Sequence, residues 1–178
     1  MLKPIFSLVI VSLLMITDRA SADIEFTGNL LDRPCQIDPT SATQDVEFLN
    51  TTVQQFQSLP GRSPVENFSI KLTNCRSDSL YKVVRVTFAG ESEPNLPGAL
   101  KVSGVNSGKL AIQLVDAASG SIINLDEVNN GGPGTAVNQQ ALVLNYSTYV
   151  QATPTALSKK TVQAGDYQGV VTFQVSYH

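Results

Sequence analysis

Val171-Thr172-Phe173-Gln174-Val175-Ser176-Tyr177-His178 closes the chain with apolar and polar residues in alternation. Successive side chains of a strand point to opposite faces, so Val171, Phe173, Val175 and Tyr177 share one face of a half-buried strand. The same period recurs upstream, at Val46 and Phe48, at Phe68, Ile70 and Leu72, and at Val84, Val86 and Phe88. Leu110, Ile112 and Leu114 repeat it, as do Leu142, Leu144 and Tyr146. Helical periodicity is almost absent. Turn chemistry separates the runs, at Glu93-Pro94-Asn95-Leu96-Pro97-Gly98 and at Asn129-Asn130-Gly131-Gly132-Pro133-Gly134.

Short strands at this spacing predict an all-β domain, an antiparallel sandwich of immunoglobulin-like form. The chain has no tryptophan, so the core tryptophan of antibody domains is missing. No internal repeat and no linker divides it. At the other terminus, Met1–Lys3 are followed by an apolar run over Ile5–Ile16 and by Ala20-Ser21-Ala22. This is the pattern of a secretory signal peptide over residues 1–22, too short for a membrane span and followed at once by Asp18 and Arg19. No later apolar stretch is long enough to insert in a membrane.

The formal net charge is −3, and the leader carries Lys3, Arg19 and Asp18, so the mature body is slightly more acidic still. A nucleic-acid partner needs a basic patch, which this balance disfavours. Two cysteines, Cys35 and Cys75, enter an oxidising compartment and are expected to form a disulfide. Closing that loop stabilises a fold by about 4 kcal/mol in the chain-entropy model.

Catalysis finds little support. The one histidine, His178, is the terminal residue, so a nucleophile–histidine pair would depend on a frayed chain end. Glu91 with Glu93 and Asp126 with Glu127 lie in loop-like segments and read as solvated charges. The Gly131–Gly134 cluster is a turn and not a phosphate loop, since no Gly-Lys-Ser/Thr follows it. Two thiols and one histidine make no recognisable zinc site, and no cofactor is implied.

One segment sits outside a closed sandwich. Asp23–Leu31 alternates, with Ile24, Phe26, Gly28 and Leu30 on one face, and it precedes Cys35. It is either an ordinary first strand or an arm that pairs with another molecule; composition does not choose. The chain ends add a further sign. Tyr177 is next to last, and Gly165 is the fourteenth residue from the end. This pair, with the early cysteine behind an alternating arm, resembles the pilins assembled by the chaperone–usher pathway. Gly28-Asn29-Leu30-Leu31-Asp32-Arg33-Pro34-Cys35, Pro60-Gly61-Arg62-Ser63-Pro64, Leu96-Pro97-Gly98, Gly104-Val105-Asn106, Ala152-Thr153-Pro154 and Gly165-Asp166-Tyr167 are similar to the adaptor type that joins the tip fibrillum of P pili to the rod.

The resemblance implies an incomplete immunoglobulin-like sandwich of six strands that lacks its final strand, leaving a groove flanked by the last strand at about Tyr167–His178. It implies three parts: a signal peptide at 1–22, an N-terminal donor-strand extension at 23–33 and a pilin domain at 34–178. Ile24, Phe26, Gly28 and Leu30 are then the donor residues. Gly165, Val171, Phe173, Val175, Tyr177 and His178 mark the edge that a chaperone grips. The implied partners are a periplasmic pilus chaperone, an outer-membrane usher and neighbouring pilins, with secretion through the periplasm to a surface pilus. A different tip, rod or terminator subunit would share these features. A secreted carbohydrate-binding sandwich is the alternative from another class.

Overall fold

The computed structural model describes residues 27–28, 34–76, 78 and 82–178. The expected leader and the expected donor residues Ile24, Phe26 and Leu30 lie outside them. Of the unit Met1–Leu30, only Thr27 and Gly28 are described, both exposed.

The regular elements among the described residues belong to the unit Leu31–His178. In chain order they are β1 (Gln36–Ile37), α1 (Pro39–Ala42), α2 (Val53–Phe56), β2 (Glu66–Thr73), β3 (Val83–Ala89), β4 (Leu100–Lys101), β5 (Ser103–Gly104), β6 (Leu110–Asp116), β7 (Ile122–Ile123), β8 (Thr135–Ala136), β9 (Leu142–Ala152), α3 (Pro154–Lys159), β10 (Tyr167–Gln168) and β11 (Thr172–Tyr177). The larger sheet has the order β1-β2-β9-β6-β4, with β7 paired to β6. The smaller runs β11-β3-β8, and β10 pairs with β5 in a separate ladder. Every pairing is antiparallel. The fold is thus an all-β, immunoglobulin-like sandwich. The long strands are β2, β3, β6, β9 and β11; the other strands are two residues each.

The periodic residues meet between the sheets. Ile70 and Leu72 of β2, Leu114 of β6 and Tyr146 of β9 pack against Val84, Val86 and Phe88 of β3, all buried. Each large apolar side chain buried this way contributes about 1.5–3 kcal/mol. Three rings stitch the sheets together. Tyr146 stacks on Phe68 at 5.4 Å between centroids, and Phe88 meets Tyr146 edge-on at 5.0 Å. A second cluster lies toward the other end, where Leu100, Val102, Leu110, Ile112 and Val150 pack with Phe56 and Ala156.

Two strand expectations come out differently. Val46 and Phe48 keep their alternation, half-buried between exposed neighbours, but the segment 44–50 joins no ladder. The last strand is split. Tyr167–Gln168 pairs with Gly104 and Ser103, and the chain then crosses to β3 before Thr172. Gly169 permits the crossing, because a Cβ there would lie 2.9 Å from Ile112 Cδ1 and 3.0 Å from Leu100 Cδ2. The helices are short, and two of them, α1 and α3, are begun by side-chain caps. Asp38 accepts from the Thr40 hydroxyl and, at 2.9 Å, from the Thr40 N–H, which together hold its carboxyl below the usual range, and Thr153 caps the helix that starts at Pro154.

Candidate functional site

The site is an edge. β11 pairs with β3 along its whole length, from Thr172↔Ala89 to Tyr177↔Val84. Its other flank carries no strand among the described residues. A strand bonded on one side only presents a row of backbone N–H and C=O groups, a ready template for another strand. On the face turned to the core, Phe173, Val175 and Tyr177 pack against the main cluster, and Val171 touches both clusters. None of the four is fully buried. Residues of the same register on β3, which are Val84, Val86 and Phe88, are closed off from solvent. The contrast follows from position: β3 has β11 on one side and, at Val83–Val84, β8 on the other, whereas β11 has one neighbour among the described residues.

The opposite rim is the N-terminal part of the body. Ile37 pairs with the fully buried Leu72, so it points toward the core side of the larger sheet, yet it is 39% exposed. Two contacts join this rim to the last strand. The Tyr177 hydroxyl donates to the Cys35 carbonyl oxygen at 2.8 Å, and the Phe48 ring lies 6.2 Å from that of Tyr167. Cys35 precedes Phe48 along one rim while Tyr177 follows Tyr167 along the other. The segments 35–48 and 167–177 therefore run side by side in opposite directions, tied near both ends. Between the ties no ladder joins the two rims among the described residues. Burial at this margin pushes the Tyr167 phenol upward.

The expected site residues that are described can now be placed; Ile24, Phe26 and Leu30 lie outside them. Cys35 and Cys75 are bonded and anchor the start of β1 beside the end of β2. His178 is exposed; its carbonyl accepts from the Lys82 and Val83 N–H groups and its own N–H donates to Val83, each at 2.9 Å. Gly165 lies in an exposed bend ahead of β10, not in the edge itself. Its φ of +147° and the 2.7 Å from an added Cβ to Val105 Cγ2 explain the glycine. Gly28 is exposed.

Sequence reasoning missed Asn106 as a positioning group. Buried to 1% exposure, it receives the Gln163 N–H at 2.9 Å and donates to the Gln163 carbonyl at 2.8 Å. Its side chain thereby acts as a strand partner and pins the loop that leads to Gly165 and Tyr167. A polar residue beside Gly104 in a turn gives no sequence signal of such a role.

Chemistry elsewhere is sparse. A cleft of about 710 Å³ opens between the turn at Asp116–Ser121 and the loop that ends at Thr135. The Asp116 carboxylate is already engaged by the Ala118 and Ser119 N–H groups at 2.8 and 2.9 Å. Among the described residues no cluster of three acidic, histidine or cysteine side chains is disposed to hold a metal, and no helix is long and apolar enough to cross a membrane.

Comparison with known proteins gives consistent matches. A family model described as fimbrial protein matches residues 24–178. The fimbrial adapter PapK of Escherichia coli is 40% identical over 177 residues, covering 99% of both chains. Protein PrsK of the same organism is 41% identical with equal coverage. In the solved structures, the P pilus rod subunit PapA superposes with a TM-score of 0.68 at 22% identity, over 82% of this chain and 100% of that one, which speaks to the fold.

Proposed function

This chain belongs to the fimbrial protein family, and from that premise we propose that it is an adaptor subunit of a chaperone–usher pilus. It is a structural protein and not an enzyme, exported through the periplasm to a surface fimbria. Residues 1–22 are the leader removed on export, 23–33 the donor arm and 34–178 the pilin body.

The observation that carries this reading is that β11 pairs on one side only among the described residues, with Val171, Phe173, Val175 and Tyr177 half-buried on its core face. Such an edge exposes apolar surface and unpaired backbone groups together, so a free subunit aggregates unless another strand covers it. Addition of a strand to an open sheet edge is an established mode of recognition, and chaperone–pilin pairing is among its known instances. During export the covering strand comes from the periplasmic chaperone. In the fibre it comes from the arm of a neighbouring subunit, exchanged at the outer-membrane usher. Ile24, Phe26 and Leu30 of this chain in turn pack along the open edge of another subunit, each contributing about 1.5–3 kcal/mol on full burial. Gly28 lets the backbones approach closely between them.

The test removes the edge. Deleting Phe173–His178 is expected to abolish co-purification with the chaperone and to leave the chain to periplasmic degradation. A truncated chain that stays soluble and chaperone-bound contradicts the assignment.

A further inference from the structure

The turn Val128–Gly131 holds the one Asn-Gly pair of the sequence, Asn130-Gly131. Its backbone is left-handed at three successive residues, with φ of 45° at Asn129, 47° at Asn130 and 73° at Gly131. Residues with a side chain enter that region at a cost, asparagine at less than most, so the turn needs something to hold it. The Asn130 carboxamide does so. Its Oδ1 accepts from the Asn124 N–H at 3.0 Å, and its Nδ2 donates to the Ile122 carbonyl at 2.7 Å. The Asp116 N–H of β6 donates to the Ser121 carbonyl, so by alternation Ile122 and Asn124 turn their backbone groups to the flank away from β6. On that flank the Asn130 side chain stands in for a strand. Asn129 and Asn130 line the cleft of about 710 Å³ and Gly131 is exposed, so water reaches the pair.

We propose that Asn130 is a site of spontaneous deamidation, and that its clasp on β7 is the gate. An asparagine followed by glycine is chemically labile, because no side chain shields the next backbone nitrogen. The Gly131 nitrogen, once deprotonated, bonds to the Asn130 Cγ; the Cγ–Nδ2 bond breaks and ammonia leaves with the proton. Water then opens the cyclic imide at either carbonyl, giving aspartate or isoaspartate, with no oxidation or reduction. The closed turn blocks the first step twice. At a ψ of 39° the Gly131 nitrogen lies on the far side of the Asn130 Cα–C bond from Cβ, whereas the ring requires the two eclipsed. The carboxamide is also bound at both its polar atoms. Reaction therefore passes through a local opening of the turn, and the product cannot close it again. Aspartate sets an oxygen against the Ile122 carbonyl where Nδ2 donated, and isoaspartate lengthens the backbone. Glu127, whose carboxylate accepts from Asn124 Nδ2 at 3.0 Å, adds like charge beside the new acid. The change is one-way: β7 loses its partner on the outer flank, and the cleft gains a negative wall.

The test ages the mature chain, as isolated from the periplasm, in mildly alkaline buffer beside a synthetic peptide of residues 122–134. Peptide mapping by mass spectrometry, with isoaspartyl methyltransferase labelling, reads conversion at each asparagine. Asn130 should convert first in the chain, ahead of Asn129 and every other asparagine. It should convert about 5- to 150-fold more slowly than in the peptide, the factor that two net hydrogen bonds supply. Asn130→Asp, made directly, should melt about 4–8 °C below wild type, from the lost donor and the new repulsion. The ageing arm needs no variant, so it decides the site even where Asn130→Asp fails to accumulate. An Asn130 left intact over a period in which that range requires conversion, or earlier conversion at another asparagine, overturns the site. Conversion at the rate of the peptide overturns the gate. An Asn130→Asp chain that melts with wild type overturns the one-way loss of the clasp.

Discussion

Replacing Asn106 with alanine removes a clasp that no neighbouring group can replace. Two hydrogen bonds are lost, at 2.9 and 2.8 Å, both to the backbone of Gln163. A net intramolecular hydrogen bond contributes about 0.5–1.5 kcal/mol, so the pair is worth about 2 kcal/mol. Gln163 is exposed, so water satisfies its backbone after the change and no larger desolvation penalty follows. For a domain of this size, about 2 kcal/mol lowers the melting temperature by about 4–8 °C. The clasp also fixes the approach to β10, whose Tyr167 pairs with Gly104 and meets the Phe48 ring. Asn106→Ala should therefore weaken chaperone capture as well as stability. Asn106→Asp should be worse, since one bond survives but a carboxylate oxygen then faces the Gln163 carbonyl. Thermal unfolding of the subunit–chaperone complex by circular dichroism, with the yield of complex per cell, reads both effects. A melting temperature for Asn106→Ala within 1 °C of wild type refutes the reasoning.

Further outcomes follow from the core. Replacing Cys35 and Cys75 by alanine should cost about 4 kcal/mol and sharply lower recovery of the exported chain, measured by denaturant titration of the complex; equal midpoints contradict the assigned role of the bond. Phe88→Ala removes the ring that faces both Phe68 and Tyr146 and should destabilise by about 3–5 kcal/mol, read in the same titration. Burial, with Asp116 nearby, raises the Tyr146 phenol far above its ordinary value near 10. The fold favours its neutral form, so this stability is complete below about pH 10 and is lost as pH rises beyond it. Stability should fall in alkaline solution, and Tyr146→Phe should reduce that fall; an identical alkaline profile contradicts it.

The long strands were legible because their burial follows the period of two. Ile70 and Leu72, and Val84, Val86 and Phe88, fall where the alternation puts them. β9 runs on to Ala152, beyond the alternating Leu142, Leu144 and Tyr146, because Thr148, Tyr149 and Val150 are buried in succession and break the pattern. At Val46 and Phe48 the period is present and the ladder is not. Alternation reports which face is buried, whereas a ladder needs a neighbouring edge at the right distance. The division of the last strand into β10 and β11 depends on the close approach of Gly169 to Leu100 and Ile112, a tertiary fact with no local signature. The short helices escape any periodic test, but Asp38-Pro39 and Thr153-Pro154 mark their starts. The C-terminal edge residues were legible from the same alternation. The rim that faces them, from Cys35 to Phe48, was not, since only the fold brings the two chain ends side by side.

The central claim is that the body 34–178 is complete except for a strand it receives, while 23–33 is a strand it gives. The most direct measurement deletes residues 23–33 from the mature chain and follows chaperone co-purification and fibre incorporation in the same cells. The account predicts a folded, disulfide-bonded, chaperone-bound subunit that fails to join a growing fibre. Loss of the chaperone complex on deletion would show that the segment is an ordinary first strand of its own domain, and would contradict the account.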